Sequence, residues 1–483
     1  MAAGAADAGL RGLPDGTDRL SALPDELLQA VLARLPSTAA AARTSVLSHR
    51  WRRAWAGVPA LSFHVDQQRP LGPLSSTADA VDAALAAYSA EATPARLAVH
   101  VDDLRSKLLG GRIAPWLRFA SLRLAGELFL SASDYFVKPP PIWQHERQRQ
   151  WLELPACERA TRIELARINV RLSLPRAGAF AALRALRISD ATTVDGDIGR
   201  LVSVQCPRLR ELEMSDVGIA DTGDLSIRSA SLVRLVLRRV SIRKNGQLVV
   251  AAPRLHHLAL VNCGDRSAAA TIAAPMLAEV FWNHTYNPSR HSFEEVDRQI
   301  YRLELVYGSN SSLLGRFDVV DELCLYLSKP SGANGYKKII EDIGELPKTN
   351  LLEVKGLSMK QHLGPIMLHL LGKCSKLTKL KIDLFPKKKS LCTCGCSCAP
   401  LENRTTDIFA VDWLDEVEIS YFTGTEDDIE LLKLPFWCKM KPRRMAIHEA
   451  KDTPLSYEAQ KNIWALARPY CTMVEFKNTQ FHR

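Results

Sequence analysis

Four cysteines alternate along the run Leu391-Cys392-Thr393-Cys394-Gly395-Cys396-Ser397-Cys398. Thiols are the side chains best suited to soft metals and to oxidation. Structural zinc sites, however, separate the members of a ligand pair by at least two residues and complete the shell with a second pair. Strict alternation in one short segment offers neither. The run therefore predicts an exposed, oxidisable loop, with no metal and no cofactor. Other chemistry is equally scarce. The chain has no Gly-x-Ser-x-Gly and no His-Glu-x-x-His, and Met367 stands where a phosphate loop ending in Gly372-Lys373 needs its first glycine. No cysteine and histidine pair matches a nucleophile signature. The missing motifs weigh against an enzyme.

The elements that position a binding surface come next. At 483 residues the chain is too long for one small core. Its 47% hydrophobic content is that of a folded domain. The 63 Lys+Arg against 53 Asp+Glu leave a net charge of +10, a small excess with acidic residues mixed throughout. A nucleic-acid partner is therefore not expected. No run approaches the roughly 20 apolar residues of a membrane span, so no membrane partner is expected either. Residues 1–16 read as a flexible tail and not as a signal peptide. Eleven cysteines without an export signal predict reduced thiols and a cytoplasmic or nuclear chain. Lys387 to Lys389 is too short a basic run to decide between the two.

Between Pro24 and Pro36 stand Leu27, Leu28, Val31, Leu32 and Leu35. At 100° per residue they spread over roughly 140° of a helix, wider than a core-facing stripe needs. Ser37 or Thr38 can cap a second short helix anchored by Val46 and Leu47, and Ser48 a third carrying Trp51 and Trp55. Gly57 and Pro59 close it. A three-helix unit this small rarely buries enough surface to stand alone, so its apolar surface either packs on the rest of the chain or is completed by a partner protein.

Residues 18–63 resemble an F-box of the plant type. The resemblance is carried by Asp18-Arg19-Leu20, Leu23-Pro24-Asp25, Leu32-Ala33-Arg34-Leu35-Pro36, Thr44-Ser45-Val46-Leu47-Ser48, Arg50-Trp51-Arg52 and Trp55, in the family's order. It implies binding to a Skp-family adaptor, and through it to a cullin ubiquitin ligase. The adaptor-contacting positions it implies are Leu23, Pro24, Leu27, Leu28, Leu32, Leu35, Pro36, Val46, Leu47 and Trp51.

After the trio an L-x-x-L-x-L unit recurs: Ala160-Ile163-Leu165, Leu183-Leu186-Ile188, Leu209-Leu212-Met214, Leu232-Leu235-Leu237, Leu255-Leu258-Leu260, Leu277-Val280-Trp282 and Ile300-Leu303-Leu305. Their first positions lie 23, 26, 23, 23, 22 and 23 residues apart. That is the period of leucine-rich repeats, in which stacked strands bury the leucines together. Weaker units follow at Val320-Leu323-Leu325 and Leu377-Leu380-Ile382, and Phe119-Leu122-Leu124 reads as an earlier one. The Asn or Cys customary after the strand is met only by Cys263; elsewhere stand Ile168, Val217 and Val240. We expect an irregular solenoid without a polar ladder. The residues between the leucines face the other way, giving a concave face of Arg162, Glu164, Arg187, Glu211, Glu213, Arg234, Arg238, His257, Phe281, Arg302 and Glu304. Mixed signs and an aromatic suit a protein or a small ligand, and the contacts of a target protein are expected at Arg187, Glu211, Glu213, Arg234, His257 and Phe281.

Stretches 134–151, with three consecutive prolines, and 385–406, with the cysteines, read as insertions. From residue 401 the units Leu414-Val417-Ile419, Pro442-Met445-Ile447 and Cys471-Val474-Phe476 alternate with helical segments. This end resembles the FBD region of plant F-box proteins through Val417-Glu418-Ile419, Phe422, Gly424 and Glu426. The expected fold is α/β: an F-box at 17–63, a leucine-rich repeat solenoid (a horseshoe) at 64–400 and an FBD-like α/β end at 401–483. The resemblance implies the substrate receptor of an SCF-type ubiquitin ligase. The alternative is an F-box scaffold that works outside a cullin complex.

Overall fold

The computed structural model describes residues 23–64, 77–101, 109–132, 151–168, 170–191, 193–195, 197–219, 224–242, 246–264, 268–306, 310–328, 344–357, 363–384, 413–433, 441–450 and 454–478. The tail, Asp18-Arg19-Leu20, the prolines of 134–151 and the whole of 385–406 lie outside these residues. The chain forms two compact units, Met1–Pro140 with Arg159–Arg167, and Pro141–Glu158 with Ile168–Arg483.

The first unit opens with three helices, Asp25–Leu32, Thr38–Arg43 and His49–Ala54. Pro24 stands at the mouth of the first, with Asp25 and Glu26 against its positive end. Ser37 caps the second, accepting from the Ala40 N–H at 3.2 Å, and Ser48 caps the third, accepting from Trp51 at 3.4 Å. Arg50 ties the third helix to the first through Asp25 at 2.7 Å and the Leu23 carbonyl. Leu28, Leu32, Ala41, Trp51, Ala54 and Val58 form the trio's core. One expectation fails. Val46 and Leu47 do not anchor the second helix: the backbone tightens into a 3₁₀ turn at Thr44–Val46, and they stand 84% and 65% exposed.

The same unit holds a parallel sheet of Ala60–Phe63, Arg96–Val101, Glu127–Ala132 and Arg162–Ala166. Helices Thr77–Ala87 and Leu109–Arg123 connect the first three of these strands. The Trp116 indole N–H donates to Asp82 at 2.6 Å, joining the two helices. Phe119-Leu122-Leu124 is therefore not a repeat strand. Phe119 and Leu122 sit in the second of these helices, Leu122 is 74% exposed, and the strand comes later, with Leu128 and Leu130 buried. The actual units begin at Val58, Pro94, Ala125 and Ala160, 36, 31 and 35 residues apart. In the first two of these returns a helix, Thr77–Ala87 or Leu109–Arg123, consumes more chain than the 23-residue period allows.

In the second unit the long sheet runs in parallel from Ala185–Ser189 through Glu211–Ser215, Arg234–Arg238, His257–Val261, Glu279–Asn283, Gln299–Val306, Val319–Ser328, Leu351–Leu357, Lys379–Asp383, Glu416–Phe422 and Arg444–Glu449 to Met473–Asn478. Leu212, Leu235, Leu258, Val280 and Leu303 are direct cross-strand partners, each at most 1% exposed. A slip of one residue would expose all five. Here the return segments are themselves strands. Leu225–Arg228, Gln247–Ala251, Ala269–Ala273 and His291–Glu294 form a second parallel sheet, and Trp151–Glu153, Arg171–Ser173 and Thr193–Asp195 a third. Past these the returns are helical, at Ser311–Leu314, Leu363–Gly372, Glu426–Leu432 and Tyr457–Ala467.

A ladder does exist, carried by backbone. Asp190, Asp216, Arg239 and Asn262 follow their strands with φ of 54°, 55°, 48° and 50°. Each donates its N–H across to the end of the next strand, to Ser215, Arg238, Val261 and Asn283, at 2.7–2.9 Å. The left-handed turn drives the following residue inward: Ala191, Val217 and Val240 are each 0% exposed. Cys263 fills the same place and also donates its S–H to the Leu237 carbonyl at 3.1 Å.

Candidate functional site

Two surfaces carry the side chains singled out from the sequence. The first is the helix trio. Leu28, Leu32 and Trp51 are inside its core at 0%, 2% and 6% exposure, and Leu23 packs half-buried against it. Pro24, Leu27, Leu35, Pro36, Val46 and Leu47 are exposed, and Val31 joins them. The broad stripe of the first helix is thus divided. One flank builds the module and the other faces outward, as do Val46 and Leu47 at the 3₁₀ turn.

The second surface is the solvent-facing side of the long sheet. Arg187, Glu211, Glu213, Arg234, His257 and Phe281 all lie on it, each half-buried. Their charges are mostly paired with one another. Arg187 meets Glu211 at 3.3 Å and Glu213 at 3.5 Å, Arg238 meets Glu213 at 2.8 Å, and His257 meets Glu279 at 2.9 Å. Arg234 has no such partner among the described residues. Arg187 with Glu213 and His257 with Glu279 are direct partners in register, and the other two pairs are diagonal neighbours on adjacent strands, where opposite charges attract.

Farther along, Arg302 holds Glu304, Glu322 and Glu353 at 2.7, 2.5 and 3.2 Å. The Tyr326 hydroxyl donates to Glu304 at 3.0 Å, and its ring lies 5.8 Å from Phe281 with the Lys355 ammonium 5.1 Å from its centre. Burial, opposed by the Tyr301 hydrogen bond and Arg302, acts on Glu322, and the net effect holds its carboxyl below the usual range. Sequence reading missed Glu322, Tyr326, Glu353 and Lys355. The unit Val320-Leu323-Leu325 was legible and its outward residues could have been taken from the alternation; Thr349-Leu352-Val354 lacks the leading leucine.

The described thiols offer no reactive group. Burial pushes Cys157, Cys206 and Cys374 up to about 12, so none is a thiolate at neutral pH. Among the described residues, no three His, Cys, Asp or Glu side chains are grouped to hold a metal, and no helix is long and apolar enough to cross a membrane.

Residues 20–61 match the F-box domain family, and residues 113–280 match the family described as the LRR repeats of FBD-associated F-box protein At5g56370. F-box/LRR-repeat protein At5g02910 of Arabidopsis thaliana is 29% identical over 253 residues, 51% of this chain and 48% of that protein. F-box/FBD/LRR-repeat protein At2g04230 of the same plant is 28% identical over 256 residues, 50% of this chain and 52% of that one. F-box/LRR-repeat protein 25 of that plant is 27% identical over 254 residues, 50% of this chain and 86% of its own length. The chain thus spans about half the length of the first two. No catalytic family is indicated.

Proposed function

We propose that this chain, an F-box protein with leucine-rich repeats of the FBD-associated kind, is the substrate-recognition subunit of an SCF-type ubiquitin ligase. The supporting observation is the divided trio. Leu28, Leu32 and Trp51 close a small core, while Leu27, Val31, Leu35, Val46 and Leu47 remain 37–84% exposed. A Skp adaptor with an apolar groove would cover that flank and link the chain to a cullin. The sheet face would hold a target protein, and the tethered geometry would raise the effective concentration of its lysines at the ubiquitin carrier. The chain itself would perform no bond chemistry.

Leu27 and Leu47 are the cleanest probes, because both are exposed, whereas Leu23 packs on the core and its carbonyl accepts from Arg50. Leu27→Ala with Leu47→Ala should weaken capture by purified Skp adaptor at least tenfold, about 1.4 kcal/mol, with an unchanged melting temperature. Undiminished capture would overturn the docking face. Cullin co-purification separates the ligase reading from a scaffold that uses the same F-box outside a cullin complex.

A further inference from the structure

A parallel sheet has two edges, and edges are where other chains add. The two described units treat theirs differently. In the first unit the edge strand Ala60–Phe63 is closed. Thr38, 6% exposed, accepts the Ser62 N–H on its hydroxyl at 2.7 Å, and Leu61 and Phe63 are 0% and 5% exposed. In the second unit the edge strand Met473–Asn478 pairs only with Arg444–Glu449 among the described residues. Its inward residues Val474 and Phe476 remain half-exposed, whereas their partners Met445 and Ile447 are 1% and 0% exposed, and Val417 and Ile419 one strand further in are 4% and 0%. Met473 is 52% exposed, and the helix before the strand leaves Trp464 and Leu466 at 42% and 44%. Among the described residues, no further strand completes the core beside Val474 and Phe476.

The free side of this strand is self-complementary. Glu475 and Lys477 sit two residues apart on the solvent-facing side, 3.3 Å from each other, with Arg444 2.8 Å from Glu475. We propose that the edge pairs with the same edge of a second copy of this chain, antiparallel and centred on Phe476. That register sets Phe476 against Phe476 on the inward side. It sets Glu475 against Lys477 of the copy twice over, with Arg444 completing a charge network on each side. Centring on Glu475 instead would oppose two glutamates, which is repulsive. A two-fold pairing of identical edges closes on itself and leaves no free strand to propagate a fibre.

The test is the mass of the full chain by sedimentation velocity across a concentration series. The wild type should dimerise. Lys477→Glu, and separately Glu475→Lys, should each raise the dimer dissociation constant at least tenfold without lowering the melting temperature appreciably. The double exchange Glu475→Lys/Lys477→Glu should restore dimerisation. A monomeric wild type, a dimer indifferent to the single exchanges, or a folded double variant that stays monomeric would each overturn the proposal. So would a chain ended after Asn478 that dimerises when the full chain does not, because residues 479–483 would then be the cover of the edge.

Discussion

The helix trio and the repeat array solve the burial problem in opposite ways. In the array, each strand from Glu211–Ser215 to Arg444–Glu449 has neighbours on both sides, and its inward pairs reach exposures of a few per cent. Its outward charges are largely satisfied by each other. In the trio six residues make the whole core, and comparable aliphatic side chains stand outside it. An array closes its core by repetition and can offer a charged, already paired surface to a partner. A short helical module does not close itself, and an apolar flank stays outside its core.

The sharpest way to break this contrast is to cut into the array. Leu235→Ala, and equally Leu212→Ala, should each cost about 2–5 kcal/mol, while Arg187→Ala on the opposite face should cost under about 0.5 kcal/mol. Urea titration of the three variants checks the order, and a reversed order would show that the strand faces are inverted. Within the trio the corresponding pair is Leu28 and Leu47. Leu28→Ala should cost about 2–4 kcal/mol and speed hydrogen exchange across Asp25–Ala54. Leu47→Ala should change exchange little, since its side chain is 65% exposed already. Equal effects would mean that the flank belongs to the core.

A third variant sharpens the role of the ladder. Asn262 holds φ of 50°, a region that β-branched residues avoid at a cost of about 1–2 kcal/mol. Asn262→Ile should therefore destabilise by roughly that amount, and Asn262→Gly should not. Thermal melts of both distinguish a backbone requirement from a side-chain one.

The smallest effect concerns pH. His291 is 5% exposed. Its Nδ1 accepts from the Asn287 N–H at 2.9 Å and its Nε2–H faces the Ala268 carbonyl at 3.2 Å. Burial holds its pKa below the ordinary value despite the Ala268 bond, and His284 and Arg290 push the same way. The folded state therefore binds its proton less readily than the unfolded chain. The stability this contributes is complete above the ordinary imidazole range, near 6.5, and is lost as pH falls through that value toward the lower folded one. Melting temperatures of wild type and His291→Leu between pH 7.5 and 5.5 should converge as the pH falls. A constant gap would show that His291 does not titrate.

Much of this was legible in the sequence because it rests on local period. The 23-residue spacing fixed which leucines stack, and the two-residue alternation fixed that Arg187 and Glu213 face out. Ser48 announced one cap, and Ser37 or Thr38 another, of which the structure uses Ser37. The earlier repeats at Val58, Pro94 and Ala125 escaped because helical returns stretch their spacing. Val46 and Leu47 were misplaced because helix propensity does not say where a helix tightens into a 3₁₀ turn.

By itself, then, the sequence determined the helix trio, the strand register and the two faces of each strand. Each depends on residues within a few positions of one another. Only the tertiary structure decided that Arg302 would gather three carboxylates from three strands, that the apolar stripe would split between core and surface, and that Asp190, Asp216, Arg239 and Asn262 would turn left-handed. The same holds for the strand that would be left at the end of the sheet. Those outcomes depend on which segments become neighbours across twenty or more residues, and a sequence pattern carries the spacing of such neighbours but not their contacts.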